Sequence, residues 1–264
     1  MSRQNYYRAT KRRSRAEVDA RLIEQLVASI RSKHPRIGGR KLLHMIGPEL
    51  SSAGVEIGRD RFFKVLGSSG LLVPPLPRAP RTTQSRHGDP VYPNRAKSLE
   101  LSGSNQLWVS DITYIRTRED FVYLSLVTDA WSRKIVGAYT GVDLCAVHCI
   151  KALKQAVRQL PPGANPMHHS DRGSQYCSGA YTKVLGKHDI KISMTEENHC
   201  AENALAERIN GILKQEYGLG GTFVDLRQAA KAVRQAVSAY NEERPHMALA
   251  KRTPSEVHRE GMVG

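Results

Sequence analysis

Three acidic residues of this 264-residue chain stand in surroundings that predict a shared site. Asp111 lies in a run rich in β-branched and aromatic residues, which indicates a strand, and Asp171 follows a short run after a Pro-Gly break, which places it at a strand end. Glu207 lies in a segment, 201–217, whose apolar residues recur at helical spacing. Two strand carboxylates and one helix carboxylate, brought together, make the oxygen-rich, negatively charged site that Mg²⁺ prefers.

Such a site would act on phosphate groups. Carboxylates gathered without a cation repel one another and are costly to ionise, so a cation belongs in the prediction. A pair of ions could activate the attacking oxygen and stabilise the leaving oxygen of an in-line displacement at phosphorus. The alternative is a merely solvated helix face, because most charged helix faces only meet water. The polar stripe in question consists of Asn203, Glu207, Asn210 and Lys214.

The words around these residues resemble a known family. Trp-Val-Ser-Asp-Ile-Thr-Tyr-Ile, His-Ser-Asp-Arg-Gly-Ser-Gln-Tyr and Glu-Asn-Ala-Leu-Ala-Glu are similar to the three signatures of the DDE transposases of bacterial insertion sequences, which share the retroviral integrase core. More narrowly, the chain resembles the second-frame product of insertion sequences whose transposase is completed by ribosomal frameshifting. One departure is Glu202, where many relatives have Asp; Glu207 keeps its place.

The resemblance implies a fold and a reaction. The fold would be α/β, with a ribonuclease H-like mixed sheet and flanking helices after a small all-α domain of helix-turn-helix type. Asp111, Asp171 and Glu207 would be catalytic and would hold two Mg²⁺ or Mn²⁺ ions per active site. The enzyme would bind the terminal inverted repeats of its element, cleave at the 3′ end and transfer the freed 3′-hydroxyl to double-stranded target DNA. Lys214, two turns after Glu207, is the candidate for a phosphate or end-base contact.

Two other functions stay open. A ribonuclease H-type nuclease could use the same fold and carboxylates, although it would not need a basic helical module. A non-catalytic DNA-binding regulator of transposition would use only the N-terminal third. Relatives of this type work as oligomers, so we expect a homo-oligomer on DNA, with a possible fusion to an upstream-frame protein.

Charge is concentrated at one end of the chain. The net charge is +15, and residues 1–98 hold 20 Lys and Arg against 7 Asp and Glu, whereas residues 99–264 hold 20 against 18. A basic N-terminal third could aid solubility or bind an anionic membrane, but beside the predicted site it favours nucleic acid. The N-terminus has no apolar signal region and no stretch reaches the length of a membrane span, so we expect a bacterial cytoplasmic protein that joins the nucleoid on DNA.

The N-terminal third divides into three predicted parts. Residues 1–15 form a basic arm without apolar periodicity, 16–72 form a helix-turn-helix-like domain, and 73–93 form a Pro-rich basic linker. The domain's helices are predicted at 17–33, 40–46 and 59–66. A three-helix unit that makes no DNA contact is the alternative. The candidate DNA contacts of these parts are Arg40, Arg59, Arg61, Lys64, Arg78 and Arg81.

Residues 94–264 are predicted to form the catalytic core and a C-terminal helical extension. Three antiparallel strands followed by alternating helices and strands match the ribonuclease H-like fold. Thr253 begins a Thr-Pro-Ser-Glu capping box. The predicted strands are 108–116, 121–129, 133–139, 167–170 and 191–193, and the predicted helices are 145–159, 178–187, 201–217 and 225–240.

Several polar residues of the core have two interpretations. Asp129 is predicted to be a turn residue rather than a ligand, and His168 and His169 either orient the site or simply pack. Arg244, with His246, either approaches DNA phosphates or holds the C-terminal segment on the core. The four cysteines lack Cys-x-x-Cys spacing, which disfavours disulfides and a zinc module, and Cys145 and Cys149 are predicted to be buried on a helix.

Overall fold

The computed structural model describes residues 3–74, 90–196 and 203–262, and the chain divides into two compact units. The first unit is Met1–Leu76 and the second is Pro77–Gly264. The division falls inside the predicted linker at 73–93. Arg78 and Arg81 lie outside the described residues.

The first unit consists of helices α1 (Arg3–Lys33), α2 (Gly39–Ser52) and α3 (Arg59–Ser68). They pack because each carries apolar residues at helical spacing, and a common core results. Gly39 lets α2 approach α3 closely, since a Cβ there would lie 2.8 Å from the Phe63 ring. Arg31 and Arg36 hold the chain that follows α3 by donating to the carbonyl oxygens of Leu71 and Pro74, each at 2.6 Å. The fully buried core includes Ile23, Val27, Ile37, Leu42, Ile46, Phe62 and Leu66.

Two helix boundaries in this unit correct the sequence predictions. α1 begins at Arg3, so residues 3–15 are helical and not an irregular arm. Once residues such as Ile23 and Val27 anchor the helix in the core, extending it towards the N-terminus costs little for residues of moderate or good helix propensity. α2 continues through Pro48 to Ser52, whereas the sequence predicted an end at residue 46. Burial of Leu50 beyond it compensates for the lost backbone hydrogen bond.

The second unit is built on a six-stranded mixed sheet with the order β3-β2-β1-β4-β5 and a short β6 beside the end of β1. β1, β2 and β3 are antiparallel neighbours, whereas β4 runs parallel to β1 and β5 parallel to β4. The strands are β1 Leu107–Thr117, β2 Phe121–Asp129, β3 Ile135–Gly141, β4 Met167–Ser170, β5 Lys191–Met194 and β6 Thr222–Phe223. The helices are α4 Ala146–Val157, α5 Ser174–Cys177, α6 Gly179–Lys187, α7 Ala204–Glu216, α8 Leu226–Glu242 and α9 Pro254–Glu260, with a 3₁₀ turn at Met247–Leu249.

Helices cover both faces of the sheet. α7 and α8 pack on one face, against residues such as Ile115, Leu124 and Leu126. α4 and α6 pack on the other, against Trp108 and Val127. Glycine at position 137 makes the second contact possible, because a Cβ there would collide with the backbone carbonyl of Ala152 in α4. The predicted order of strands and helices is confirmed, whereas α5, β6 and the 3₁₀ turn were not predicted.

The C-terminal segment is attached to the far side of β3. Asn241 of α8 pairs with both backbone groups of Ile135, accepting from its N–H and donating to its carbonyl oxygen, each at 2.9 Å. The predicted capping box at Thr253 is present, with both of its hydrogen bonds.

Asp129 is the residue on which the β2–β3 turn is built. It is fully buried and accepts hydrogen bonds from the backbone of Asn105 and from the backbone and hydroxyl of Ser132. His258 of α9 lies 3.0 Å from that hydroxyl. Asp129 therefore has the turn role predicted for it.

Within the described ranges, no helix is both long and apolar enough to cross a membrane.

Candidate active site

The strand pairing places Asp111 and Asp171 on neighbouring strands at the same level. Val109 of β1 is the register partner of His169 in β4, and each aspartate lies two residues further along its chain. β4 ends at Ser170, so Asp171 leaves the sheet beside the middle of β1. Glu207 lies in the first turn of α7, which packs across β1. The three elements that carry the predicted carboxylates therefore meet where β4 ends beside the middle of β1.

Electrostatics couple the three residues. Burial raises the pKa of Asp111 to about 7, and the charges of Asp171 and, more weakly, Glu207 push it the same way. Hydrogen bonds from the backbone of Ile112 and the side chain of Asn210 oppose the rise. A carboxyl group that stays half protonated near neutrality is a group that a divalent cation would hold in its charged form.

Asn210 fixes the carboxylate of Asp111 directly. Its side-chain amide, one turn after Glu207 on α7, donates to Oδ2 of Asp111 at 2.8 Å, and the residue is buried. Lys214 stands one turn further on, where the same helix ends. Its ammonium lies 4.3 Å from the ring centroid of Tyr114. Burial lowers the pKa of Lys214, and the charge of Asp111 opposes that change.

Ser110 links all three elements beneath the carboxylates. Its carbonyl oxygen accepts from the side chain of Asn203, the N-cap residue of α7, at 3.1 Å. Its hydroxyl lies 2.8 Å from Nε2 of His168 in β4. Because Ser110 precedes Asp111, one residue joins the strand of Asp111 to the strand of Asp171 and to the helix of Glu207.

The two histidines before Asp171 pack inside the protein. Nε2 of His168 also lies 2.8 Å from the hydroxyl of Tyr181, and burial lowers the pKa of His168 to about 3, so the ring is neutral. Nδ1 of His169 lies 2.9 Å from the hydroxyl of Ser193. Both residues are about 1% exposed. The packing interpretation fits them, and neither faces the site as a ligand.

The turn after Asp171 shapes its carboxylate. The backbone N–H of Gly173 donates to Oδ1 of Asp171 at 3.0 Å, and a Cβ on Gly173 would lie 3.1 Å from that oxygen. Arg172 points away and donates to the carbonyl oxygen of Thr195 at 2.6 Å. While the carboxylate keeps this position, a side chain larger than that of glycine would crowd it.

The donor set fits a divalent metal in chemistry, but its members are not gathered around one point. Among the described residues, no group of three or more His, Cys, Asp and Glu side chains is placed to hold a metal ion. Asp111 and Asp171 are coupled neighbours, while Glu207 is exposed on its helix. Binding a cation would require the glutamate side chain to turn towards the two aspartates.

The predicted DNA contacts of the first unit are distributed on two helices. Arg40 is exposed in the first turn of α2, and Arg59 and Lys64 are exposed on α3. Arg61 is half exposed and forms an ion pair with Asp19 of α1 at 3.3 Å. Arg59 pairs with its neighbour Asp60. These pairs are on the surface, so they leave the guanidinium groups accessible to phosphate.

Arg244 corrects a prediction. It is 2% exposed and its guanidinium forms a two-point pair with Glu216, at 2.8 and 2.9 Å. It also lies over the ring of Tyr240, whose hydroxyl is 3.2 Å from Nε2 of His246. Arg244 is therefore used to hold the C-terminal segment, because α7 supplies a buried carboxylate that needs a partner. It is not a candidate DNA contact.

Cysteine burial was predicted correctly for only one of the two α4 cysteines. Cys145 is exposed as the N-cap of α4, whereas Cys149 is buried. Sequence reasoning also missed the positioning roles of Ser110, Asn203 and Asn210. The polar stripe of α7 contained a signal for the two asparagines, since they share its spacing with Glu207. Nothing in the sequence distinguished Ser110.

Comparisons with known proteins agree with this geometry. Two family models, both described as integrase core domain, match residues 102–200 and 188–254. A 31 kDa protein of insertion element IS600 from Shigella sonnei is 33% identical over 260 residues, covering 97% of this chain and 94% of that protein. Transposase InsF of insertion sequence IS3A from Escherichia coli K12 is 30% identical over 240 residues, covering 90% and 82%.

A solved structure shows the same fold. It is the simian T-cell lymphotropic virus intasome in complex with a PP2A regulatory subunit, which matches with a TM-score of 0.52 at 19% identity and covers 88% of this chain and 74% of that one. The ribonuclease H-like prediction is thereby confirmed. The extent and identity of the insertion-sequence matches show that the chain belongs to the DDE transposases of bacterial insertion sequences, polynucleotidyl transferases with an integrase core.

Proposed function

We propose that this transposase cuts the ends of its own element and joins the freed 3′-hydroxyl to target DNA, with Asp111, Asp171 and Glu207 as its catalytic residues. The observation that carries the proposal is the meeting of β1, the end of β4 and α7 around Asp111, where burial and then the charges of Asp171 and Glu207 raise its pKa to about 7. These side chains would hold two Mg²⁺ or Mn²⁺ ions. When bound, the ions supply activation of the attacking oxygen and stabilisation of the leaving oxygen.

The remaining residues of the site would position these groups and the DNA. Asn210 holds Oδ2 of Asp111 and would keep this carboxylate in a fixed orientation for a bound cation. Lys214 is our candidate for a contact to a phosphate beside the cleaved bond, because its ammonium lies where α7 ends, near Asp111. The exposed Arg40, Arg59 and Lys64 of the first unit would bind the terminal inverted repeats.

Strand transfer in vitro tests the proposal. Purified protein is incubated with Mg²⁺ and labelled duplexes that carry the terminal repeats of the parent element. We expect joined products that fall by at least about a hundredfold in Asp171→Asn and in Glu207→Gln, because each variant removes a charge that the metal requires. Asp189→Asn is the matched control: Asp189 is exposed with a φ of 54°, a conformation that Asn tolerates well.

The products separate the competing functions. Cleaved but never joined strands would identify a nuclease. Binding without cleavage, unaffected by loss of the carboxylates, would identify a regulator or a chain that needs an upstream-frame partner. Joining at the parent rate by Asp171→Asn would refute the catalytic assignment. Sedimentation of the protein on paired ends would measure the homo-oligomer that we expect.

A further inference from the structure

One face of the sheet carries a group of partly exposed aromatic residues beyond α4. Tyr114 of β1 is the register partner of Tyr123 in β2, and Tyr123 is the partner of Gly141 in β3. Phe121 is the partner of Arg116 in the same pair of strands. Directly opposite residues point to the same face, so these rings form one row across three strands. We call Tyr114, Phe121, Tyr123, Tyr139 and His148 the aromatic face.

The N-terminal turn of α4 extends this row over β3. The ring of His148 lies directly over Gly141, where any Cβ would collide with it. The same ring is stacked on Tyr139, with centroids 5.5 Å apart and planes within 10°. Gly141 therefore lets an aromatic ring from a helix take the place of a strand side chain.

Cations accompany three of the rings. The ammonium of Lys214 lies 4.3 Å from the centroid of Tyr114, the guanidinium of Arg116 lies 4.6 Å from Phe121, and the ammonium of Lys151 lies 4.6 Å from Tyr139. Tyr114 and Phe121 also meet edge to face, 5.3 Å apart. The aromatic face therefore combines flat ring surfaces with positively charged side chains.

The nearby carboxylates of Asp120 and Asp143 are engaged in local hydrogen bonds and are not paired with the three cations. Asp120, in the β1–β2 turn, accepts from the backbone N–H of Phe121 at 2.7 Å. Asp143 accepts from the backbone of Cys145 and lies 3.0 Å from Nε2 of His148. The cations of Lys214, Arg116 and Lys151 have no carboxylate in ion-pair contact within the described part of the chain.

We propose that the aromatic face binds unpaired nucleotides of the DNA substrate, with bases stacked on its rings and phosphates beside Lys214, Arg116 and Lys151. The chemistry is that of single-strand binding surfaces, which combine aromatic platforms with a basic groove. A duplex would use the cations but would have no free base to stack on the rings. This inference rests on the proposed function, because it names the part of the substrate that this face receives.

Lys214 connects the aromatic face to the carboxylates. It extends from the helix that carries Glu207, interacts electrostatically with Asp111 and lies over Tyr114. Tyr114 is three residues beyond Asp111 on the same strand, so its side chain points to the other face of the sheet. A strand opened at the cleavage point would therefore pass from the carboxylates, past Lys214, onto the row of rings.

Single-strand affinity of the full chain tests this proposal. An oligo-dT of about twenty nucleotides, a tolerant stacking ligand, is titrated by fluorescence anisotropy in chelator and in enough salt to weaken phosphate contacts. We expect Tyr123→Leu to weaken oligo-dT binding by about tenfold while affinity for a duplex of equal length is unchanged. Tyr123→Phe keeps the ring and should bind like the parent.

Controls separate ring loss from other effects. Trp131→Leu removes a partly exposed aromatic residue from the β2–β3 turn and should leave both affinities unchanged. Phe121→Leu provides a second test on the same face if Tyr123→Leu unfolds. Asp171→Asn should bind oligo-dT normally even though it cannot join strands, so failure of the catalytic proposal and failure of this one give different results.

Three results of the binding measurements would overturn the proposal, and a crosslinking result could do so independently. Tyr123→Leu and Phe121→Leu could both keep parent affinity for oligo-dT, or they could lose duplex and single-strand affinity equally. Tyr123→Leu could instead change the oligomeric mass without changing DNA affinity, which would identify the face as a contact between copies. Photocrosslinking of 5-iodouracil oligonucleotides gives the position independently: we expect adducts within residues 114–123 or 139–151, and adducts confined to the first unit would contradict the assignment.

Discussion

Asp111 is under opposing influences from residues that belong to three different elements. Burial and the charges of Asp171 and Glu207 favour its protonated form, whereas the Asn210 amide and one backbone N–H favour its charged form. The protein holds a carboxyl group that is ready to lose its proton when a cation arrives. Neutral His168 adds no charge of its own to this balance, since its pKa is lowered to about 3.

This balance predicts a pH-dependent penalty on stability in the absence of metal. Below the ordinary pKa of aspartate, 3.8, Asp111 is protonated in both states and has no effect. Between there and a pH of about 7 the unfolded chain ionises while the folded one keeps its proton, so stability falls as pH rises, and above that pH the loss is complete. Asp111→Asn should therefore be more stable than the parent at pH 8, by on the order of 1–3 kcal/mol of unfolding free energy, and should match the parent near pH 4.

Thermal unfolding in chelator at several pH values makes this measurement. Asp189→Asn, at an exposed site, should track the parent throughout. Added Mg²⁺ should stabilise the parent at pH 8 and leave Asp111→Asn unchanged, because the variant lacks the charged ligand. A difference between Asp111→Asn and the parent that stays constant across pH would contradict the assignment of the raised pKa.

At the scale of elements, α7 determines both the site and the anchoring of the C-terminus. One side of it carries Glu207, Asn210 and Lys214, its apolar side packs on the sheet, and its last residue, Glu216, receives Arg244. Glu216 and Arg244 are largely or wholly buried, so their pair is exposed to little solvent screening. Burial alone would lower the pKa of Arg244, but the hydrogen bonds and charge of Glu216 raise it above its ordinary value.

Removing Arg244 alone should lower the free energy of unfolding and leave the affinity for DNA unchanged. Arg244→Met removes the two-point partner of the largely buried Glu216 carboxylate, and we expect a loss of about 3–5 kcal/mol in unfolding free energy. The double variant Arg244→Met, Glu216→Leu should recover part of that loss. Chemical denaturation and duplex binding are the two measurements.

A matched control is available on the surface. Arg252 pairs with Glu260 where both are exposed, so Arg252→Met should cost no more than about 1 kcal/mol. If Arg244→Met weakened duplex binding while stability was preserved, Arg244 would have to be restored as a DNA contact.

The elements that sequence could predict were those whose periodicity depends on burial alone. β1 and β2 were predicted within a few residues because they are rich in β-branched and aromatic residues, and α7 because its apolar residues recur at helical spacing. The extension of α1 to Arg3 and the passage of α2 through Pro48 could not be predicted, because both depend on packing elsewhere in the helix. β6 is two residues long and exists only because β1 offers it an edge.

The sequence predicted the three acidic residues of the site but not the residues that position them. Asp111, Asp171 and Glu207 belong to motifs with recognisable neighbours. Ser110 works through a carbonyl oxygen and a hydroxyl whose partners lie on two distant segments. Arg244 could be assigned only once Glu216 was known to face it.

At the scale of the whole molecule, most of the excess positive charge and the carboxylate site lie in different parts of the chain. Residues 1–98 carry most of the excess of +15, whereas the carboxylate site belongs to residues 99–264, which are almost balanced. Met1–Leu76 alone holds 15 Lys and Arg against 6 Asp and Glu, so we expect affinity for duplex DNA to come mainly from the first unit. The carboxylates of the site are negatively charged, so without a bound cation they would weaken the electrostatic attraction of residues 99–264 for DNA.

The salt dependence of duplex binding tests this division. Removing one side chain that binds a phosphate should lower the slope of log affinity against log salt by about one, so changing Arg40, Arg59 and Lys64 together to Ala should lower it by about three. A control of equal charge changes Lys154, Lys187 and Lys191, which are exposed in the core unit, to Ala. An equal decrease of the slope in both triple variants would contradict the division.

The hydrogen bonds of Asn241 with Ile135 also set an order of events during synthesis. β3 is a boundary strand of the sheet, and part of its outer backbone is satisfied by a side chain that the ribosome adds more than a hundred residues later. All three proposed catalytic residues are made before that amide exists. A nascent or truncated chain would thus present an unfinished strand edge, open to pairing with another chain, until its final helices emerge. Synthesis of α8 therefore completes the hydrogen bonding at this edge of the sheet and lowers its tendency to aggregate.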